Sequence, residues 1–178
     1  MFLKIIAQFL FFFFFLLNSY MLTFREYVKI KEAVEQFNPQ TFDPKQIKPV
    51  QWQMPNIMEE RGEVTRQAQS MGLDWRQLMQ AIRQARIVPL DNNTWVNMKN
   101  TNSTDPNLTL QEVMSWTHRD VGRIFQAFQT GGTLPAPIVV INQNVPYCLA
   151  GNTRLSVAKV LRVKPKVLMV NLQTQPLS

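Results

Sequence analysis

Residues 134–172 read LPAPIVVINQNVPYCLAGNTRLSVAKVLRVKPKVLMVNL, and the changes of period along this stretch set the fold class. Pro137-Ile138-Val139-Val140-Ile141 is an apolar run of strand length with a β-branched bias, which suits a buried strand. Asn142-Gln143-Asn144 supplies turn residues, Tyr147–Ala150 forms a second strand, and Gly151-Asn152 breaks it. From Thr153 to Arg162 the apolar positions adopt helical spacing, and Lys166–Leu172 returns to β-rich composition. Strand, hairpin, strand, glycine turn, helix and strand predict an α+β domain with a mixed sheet.

The glycine turn is the place where chemistry is expected. A helix N-terminus carries unpaired N–H groups and a partial positive charge, so it receives anions. Gly151 allows tight chain reversal and close approach of a ligand, Asn152 or Thr153 can cap the helix, and Arg154 can fork onto a phosphate. At about 100° per residue, Arg154 falls inside the apolar arc of Leu155, Val157, Ala158, Val160 and Leu161. A guanidinium held there needs an anion. Residues 121–178 contain six basic side chains and no acidic one. The partner must therefore be an anionic ligand or a carboxylate from residues 1–120, unless the side chain snorkels to water. Lys159, Arg162, Lys164 and Lys166 follow as a basic cluster. They are candidate contacts to nucleic-acid phosphate, or else a solvated surface.

Upstream, Thr109-x-x-Glu112 is a capping box, and Leu110, Val113, Val121, Ile124, Phe125 and Phe128 continue at helical spacing, with a break at His118-Arg119-Asp120 where Asp120 can recap. Gly131-Gly132 ends that helix. Lys99–Asn107 is polar and turn-forming, and Ile87–Val96 reads as a strand followed by a turn or second strand broken at Asp91. Asp74 with Gln77 caps a helix carrying Trp75, Leu78, Met79 and Ile82, and Ile57–Met71 is a further helix weakened by Gly62. The glutamine-rich stretch 67–84 suits a surface that meets a partner. Four prolines keep residues 38–56 extended or looped, with Trp52 and Met54 as packing anchors. Thr23–Phe37 has a ragged amphipathic helical pattern. The expected organisation is a hydrophobic segment at 1–22, a helical N-terminal region at 23–86 and the α+β domain at 87–178.

The 178 residues are 46% apolar and 17% charged, with a net charge of +7. That composition builds a core and excludes a wholly disordered chain. One Cys and one His exclude a disulfide framework and an ordinary zinc site. Residues 1–22, MFLKIIAQFLFFFFFLLNSYML, read as a membrane anchor, a signal segment with a poor cleavage site, or an extension ahead of a start at Met21. The expected location is cytoplasmic, with membrane anchoring through residues 1–22 as the alternative.

The stretch 134–172 resembles the ParB/sulfiredoxin-like fold, in which an apolar strand follows Pro-x-Pro (here Pro135-Ala136-Pro137), a second strand ends in Gly-x-x-Arg, and a helix and closing strand follow. It is most similar to phage-type ParB-like proteins with a Gly-Asn-Thr-Arg-Leu box, in which a polar loop also precedes the helices. Asn100-Thr101-Asn102-Ser103 matches that loop. The resemblance covers residues 87–172. It implies binding of a nucleoside triphosphate, CTP or ATP with or without Mg2+, with phosphates held by Gly151, Asn152, Thr153 and Arg154. Asn100–Ser103 would close over the ligand. Against the family's Gly-Glu-Arg-Arg turn, Gly151 and Arg154 match, while Asn152 and Thr153 depart from it. Sulfiredoxins carry a catalytic Cys two residues before the Arg. Asn152 stands there, with Cys148 four residues earlier in the strand, so that activity does not carry over. The related ADP-dependent serine kinases use two His in the turn, and neither is present.

These readings converge on a nucleotide-binding protein acting on DNA or a DNA-bound complex, able to form a homo-oligomer or to meet a partner protein. Two alternatives stand beside it. One is a small phosphotransferase or NTPase on the same fold, for which few candidate bases lie near the turn. The other is an interaction module in which Gly151–Arg154 serves only as helix cap and salt-bridge site. His118, in a charged break, is better read as solvated than as part of a catalytic triad.

Overall fold

The structure, a computed structural model, describes residues 43–116 and 120–172. The segment 1–22, the helix expected at Thr23–Phe37 and His118 lie outside the described residues. In chain order the elements are β1 (Gln51–Gln53), α1 (Arg61–Ser70), α2 (Trp75–Gln84), β2 (Arg86–Pro89), α3 (Asn92–Val96) and α4 (Leu110–Met114). They continue with α5 (Val121–Thr130), β3 (Thr133–Pro135), β4 (Ile138–Asn142), β5 (Val145–Ala150), α6 (Asn152–Val160) and β6 (Lys166–Leu172).

The stretch that predicted the fold class forms the centre of the main sheet. β4 and β5 are an antiparallel hairpin closed by Gln143 and Asn144 at φ 50° and 62°. That left-handed pair of conformations matches the twist of a two-residue hairpin. α6 then crosses over, and β6 returns parallel to β4. β2 adds antiparallel to the free side of β6, giving the order β2-β6-β4-β5. A separate two-stranded parallel ladder joins β1 to β3. The class is α+β, as expected.

Both faces of the sheet are covered, which explains why its strands are apolar at almost every position. Ile138, Val140, Leu149, Leu168 and Val170 point to one face and meet Val64 and Ala68 of α1 and Leu78 and Ile82 of α2. Val139, Cys148 and Val167 point to the other and meet Leu155 of α6, Leu90 and Met98. The period-2 alternation thus sorts one strand between two cores. Of the region expected to stand apart at 23–86, α1 and α2 supply one wall of this core, and the described residues belong to one compact unit. The division expected at 86/87 falls just inside β2, which is hydrogen-bonded to the last strand of the chain.

Local capping follows the sequence signals with two differences. The Asp74 carboxylate accepts the Gln77 N–H at 2.8 Å, and the Thr109 hydroxyl accepts the Glu112 N–H at 3.2 Å. Gly131 ends α5 in the left-handed conformation, φ 75°. Asp91, read as the break of a turn, instead caps the short helix α3 by accepting the Thr94 N–H at 2.8 Å. That bond holds its carboxyl below the usual range. Asp120 makes no side-chain cap on α5 and pairs with Arg123 one turn on. Trp52 does pack, edge to face on Phe128 with ring centroids 6.2 Å apart, whereas Met54 is exposed. Among the described residues, no helix is long and apolar enough to cross a membrane.

Leu168 is fully buried at the centre of the sheet, so Leu168→Ala should cost about 3 kcal/mol. Asp74→Ala, which only uncaps a surface helix, should cost about 1 kcal/mol. Urea denaturation midpoints read at constant slope will rank the two.

Candidate functional site

The head of α6 is built around a glycine that no other residue could replace without movement. Gly151 sits at φ 88°, and a Cβ there would lie 2.9 Å from Nε and Nη2 of Arg154 and from Cα of Pro137. The Arg154 side chain therefore folds back over the turn instead of projecting from it. Its Nη1 donates to the carbonyl of Pro135 at 2.8 Å, and its Nη2 donates to the carboxylate of Glu60. Of the partners the sequence allowed, a carboxylate from the first 120 residues is the one the fold supplies. Glu60 stands at the N-cap position of α1 but makes no cap bond, which leaves its carboxylate for Arg154. The pair is well shielded, with 9% of the Arg154 side chain and 21% of the Glu60 side chain exposed.

Asn152 does not cap the helix either. It is the first helical residue, and its side chain turns outward to the polar loop. Its Oδ1 accepts from the Thr101 hydroxyl at 2.8 Å and from the Asn102 N–H at 2.9 Å, while its Nδ2 donates to Asn102 Oδ1 at 3.0 Å. The first bond of the helix is Leu155 N–H to the Gly151 carbonyl. The N–H groups of Asn152, Thr153 and Arg154 precede it, and no side chain caps the helix. The head of α6 thus keeps its positive partial charge.

The loop expected to lie over the turn is brought to it. Asn100 adopts φ 60° and donates from Nδ2 to Gln67 Oε1 of α1 at 2.9 Å. The hydroxyls of Thr101 and Ser103 are 2.8 Å apart, and Ser103, almost fully buried, accepts from the Trp95 indole at 2.9 Å. Asn100–Ser103 therefore lies directly against the head of α6 through Asn152, and α1 meets both segments, with Gln67 bonded to the loop and Glu60 to Arg154. Sequence reasoning missed these two α1 residues. The signal that could have found Glu60 was the demand of Arg154 for a carboxylate, but nothing in spacing marks a pair 94 residues apart.

Cys148 is buried in β5, close enough to Arg154 and Glu60 to feel both charges. Burial pushes its thiol up to about 12, and it donates to the Ala150 carbonyl at 3.5 Å. A thiol held protonated is a poor nucleophile. Among the described residues, no group of three or more His, Cys, Asp or Glu could hold a metal ion.

Three members of the basic cluster meet at the other end of α6. Lys159, Arg162 and Lys164 line a groove of about 760 Å³ whose far wall includes Trp95, Ser103 and Thr104. Arg162 takes φ 56°, so the chain turns there from α6 toward β6. Lys166 is exposed at the start of β6 opposite Pro89 and does not line this groove. One loop, residues 101–104, thus borders the turn through Thr101 and Asn102 and the basic groove through Ser103 and Thr104.

Removing either member of the Glu60–Arg154 pair should leave the other charge unpaired in a shielded site. Glu60→Ala and Arg154→Ala should each cost about 3 kcal/mol. The double variant should fall short of the sum by at least about 1 kcal/mol, as read from denaturant midpoints of all four proteins. Purely additive losses would mean that the pair contributes no coupling. In comparisons with protein-family models, curated proteins and solved structures, this chain matches none of them.

Proposed function

We propose that this protein binds the phosphates of a nucleoside triphosphate at the head of α6 and acts on DNA or a DNA-bound complex, as its resemblance to ParB-like proteins implies. The observation that carries the reading is the junction at Asn152. A loop 50 residues distant in sequence is hydrogen-bonded to the first residue of a helix whose N-terminus has no side-chain cap. Backbone donors, hydroxyls and side-chain amides converge there, which is the chemistry that phosphate oxygens take up. The cytoplasm is the compartment this reading calls for.

The Glu60 carboxylate defines how such a ligand would bind. It occupies Nη2 of Arg154, so a phosphate must compete with it for the guanidinium. Divalent magnesium would be held chiefly by the ligand's own phosphates. Thermal-shift titrations with CTP, ATP and ADP, each with and without magnesium, test this. A nucleotide that binds raises the melting temperature by mass action. The shift should grow in Glu60→Gln, where the competing charge is gone, and vanish in Arg154→Ala once that variant is verified as folded. No shift with any nucleotide in the folded wild type overturns the reading. Release of inorganic phosphate with magnesium would move it to an NTPase or phosphotransferase, with Glu60 as the carboxylate bonded to the turn.

For nucleic acid, the groove of Lys159, Arg162 and Lys164 is the candidate phosphate contact, and Lys166 would act only through its field. Replacing the three lining cations with alanine should weaken binding of a DNA duplex. It should also lower the log–log salt slope by about three units, measured by anisotropy over a range of salt. An unchanged slope would remove the groove from the interface.

A second reading has one specific observation in its favour. Because Glu60 already satisfies Arg154, the Gly-Asn-Thr-Arg turn can be complete as a folding element in an interaction module. That reading expects Arg154→Ala to cost stability and no nucleotide to bind.

A further inference from the structure

α2 exposes a second face that neither the turn nor the basic groove uses. Arg61, Arg76 and Arg83 surround a groove of about 660 Å³ whose lining contains no carboxylate. The ion pairs among the described residues are Arg66–Glu63, Arg123–Asp120 and Arg154–Glu60, so these three guanidinium groups have no acidic partner there. The floor is apolar. Trp75 and Met79, one helical turn apart, rest partly on the core and line the groove with their remaining surface. Met58 lines it too and is 71% exposed, the most exposed large hydrophobic side chain among the described residues.

We propose that this face docks an acidic segment of a partner protein that presents aliphatic side chains between its carboxylates. The charge complementarity decides the sign of the partner. Three arginines, with no lysine among them, offer planar forks that match carboxylates in pairs. The floor decides its class. Methionine thioethers mould themselves to aliphatic side chains of varied shape, whereas a phosphodiester backbone gains nothing from Met58, Met79 or the neighbouring Ile57. Arg76 and Arg83 stand two helical turns apart on α2, flanking the Met79 position, so an apolar anchor can be held between two ion pairs. The glutamine-rich exposed surface of α2 adds polar contacts around the rim without adding charge. This docking face shares no residue with the turn or with its polar loop and stands whether or not a nucleotide binds there.

The test uses the full chain and a fluorescent amphipathic peptide with leucines at i and i+4 flanked by glutamates, followed by anisotropy. The peptide should bind the wild type and bind about tenfold more weakly to Arg76→Glu/Arg83→Glu. It should also bind more weakly to Met58→Asp, a change at an exposed position that leaves the melting temperature unaltered. Poly-glutamate of equal charge should bind about tenfold less well, because it lacks the apolar anchor. Lys159→Ala/Lys164→Ala should bind the peptide as the wild type does. Absence of peptide binding, binding insensitive to the charge reversal, equal binding of poly-glutamate, or displacement of the peptide by single-stranded DNA at equal concentration would each overturn the proposal.

Discussion

A guanidinium enclosed beside the first turn of a crossover helix is tolerable only if an anion reaches it, and in this protein the anion comes from the far side of the sequence. The Glu60–Arg154 pair links the entry of α1 to the head of α6, and the Pro135 carbonyl adds the approach to β4. Three segments must be in position before the charge is satisfied. Desolvation makes such a pair an uncertain source of net stability, but leaving it half-formed is strongly unfavourable. The arrangement therefore acts chiefly as a registration constraint. It couples the entry of α1 with the hairpin and crossover helix, adding a specific contact to the apolar packing that already joins α1 and α2 to the sheet.

Much of this architecture was legible before any coordinates. The hairpin, the crossover helix and the last strand have short, strongly patterned sequences bounded by Asn, Gly and Pro, and local signals of that kind survive folding unchanged. The caps at Asp74 and Thr109 were legible for the same reason, since each bond spans three residues. Asp91 was not, because an Asp-Asn-Asn run signals a turn and a helix cap with equal force. What decides in favour of α3 is the bond to Thr94 and the packing of Trp95, both beyond composition. The burial of Arg154 could be read from periodicity, while the identity of its partner could not. The same holds for the meeting of Asn102 with Asn152 and for the contact of α1 with the polar loop.

The hydrogen bonds around Ser103 give α6 a feature not visible in the sequence at all. Asn152 holds Thr101, Thr101 holds Ser103, and Ser103 accepts the Trp95 indole at the wall of the basic groove. The two ends of α6 are thus connected a second time, outside the helix, through a loop of short polar side chains. Buried hydroxyls of this kind have one set of partners that satisfies them all. A shift at the head of α6 that took Asn152 away from the loop would disturb Ser103, and through it the position of Trp95.

The two outer strands of the main sheet carry a consequence for how copies of the chain can meet. β5 has its outer side occupied at Lys99, which bonds to Pro146 and Cys148 as a single bridging residue. β2 is only four residues long, ends in a proline without an N–H, and opens on an exposed arginine. Neither border therefore offers a long, flat row of unpaired backbone groups of the kind that lets one sheet extend into another. Extension of this sheet from copy to copy is thereby disfavoured, and contact through side-chain surfaces is favoured in its place.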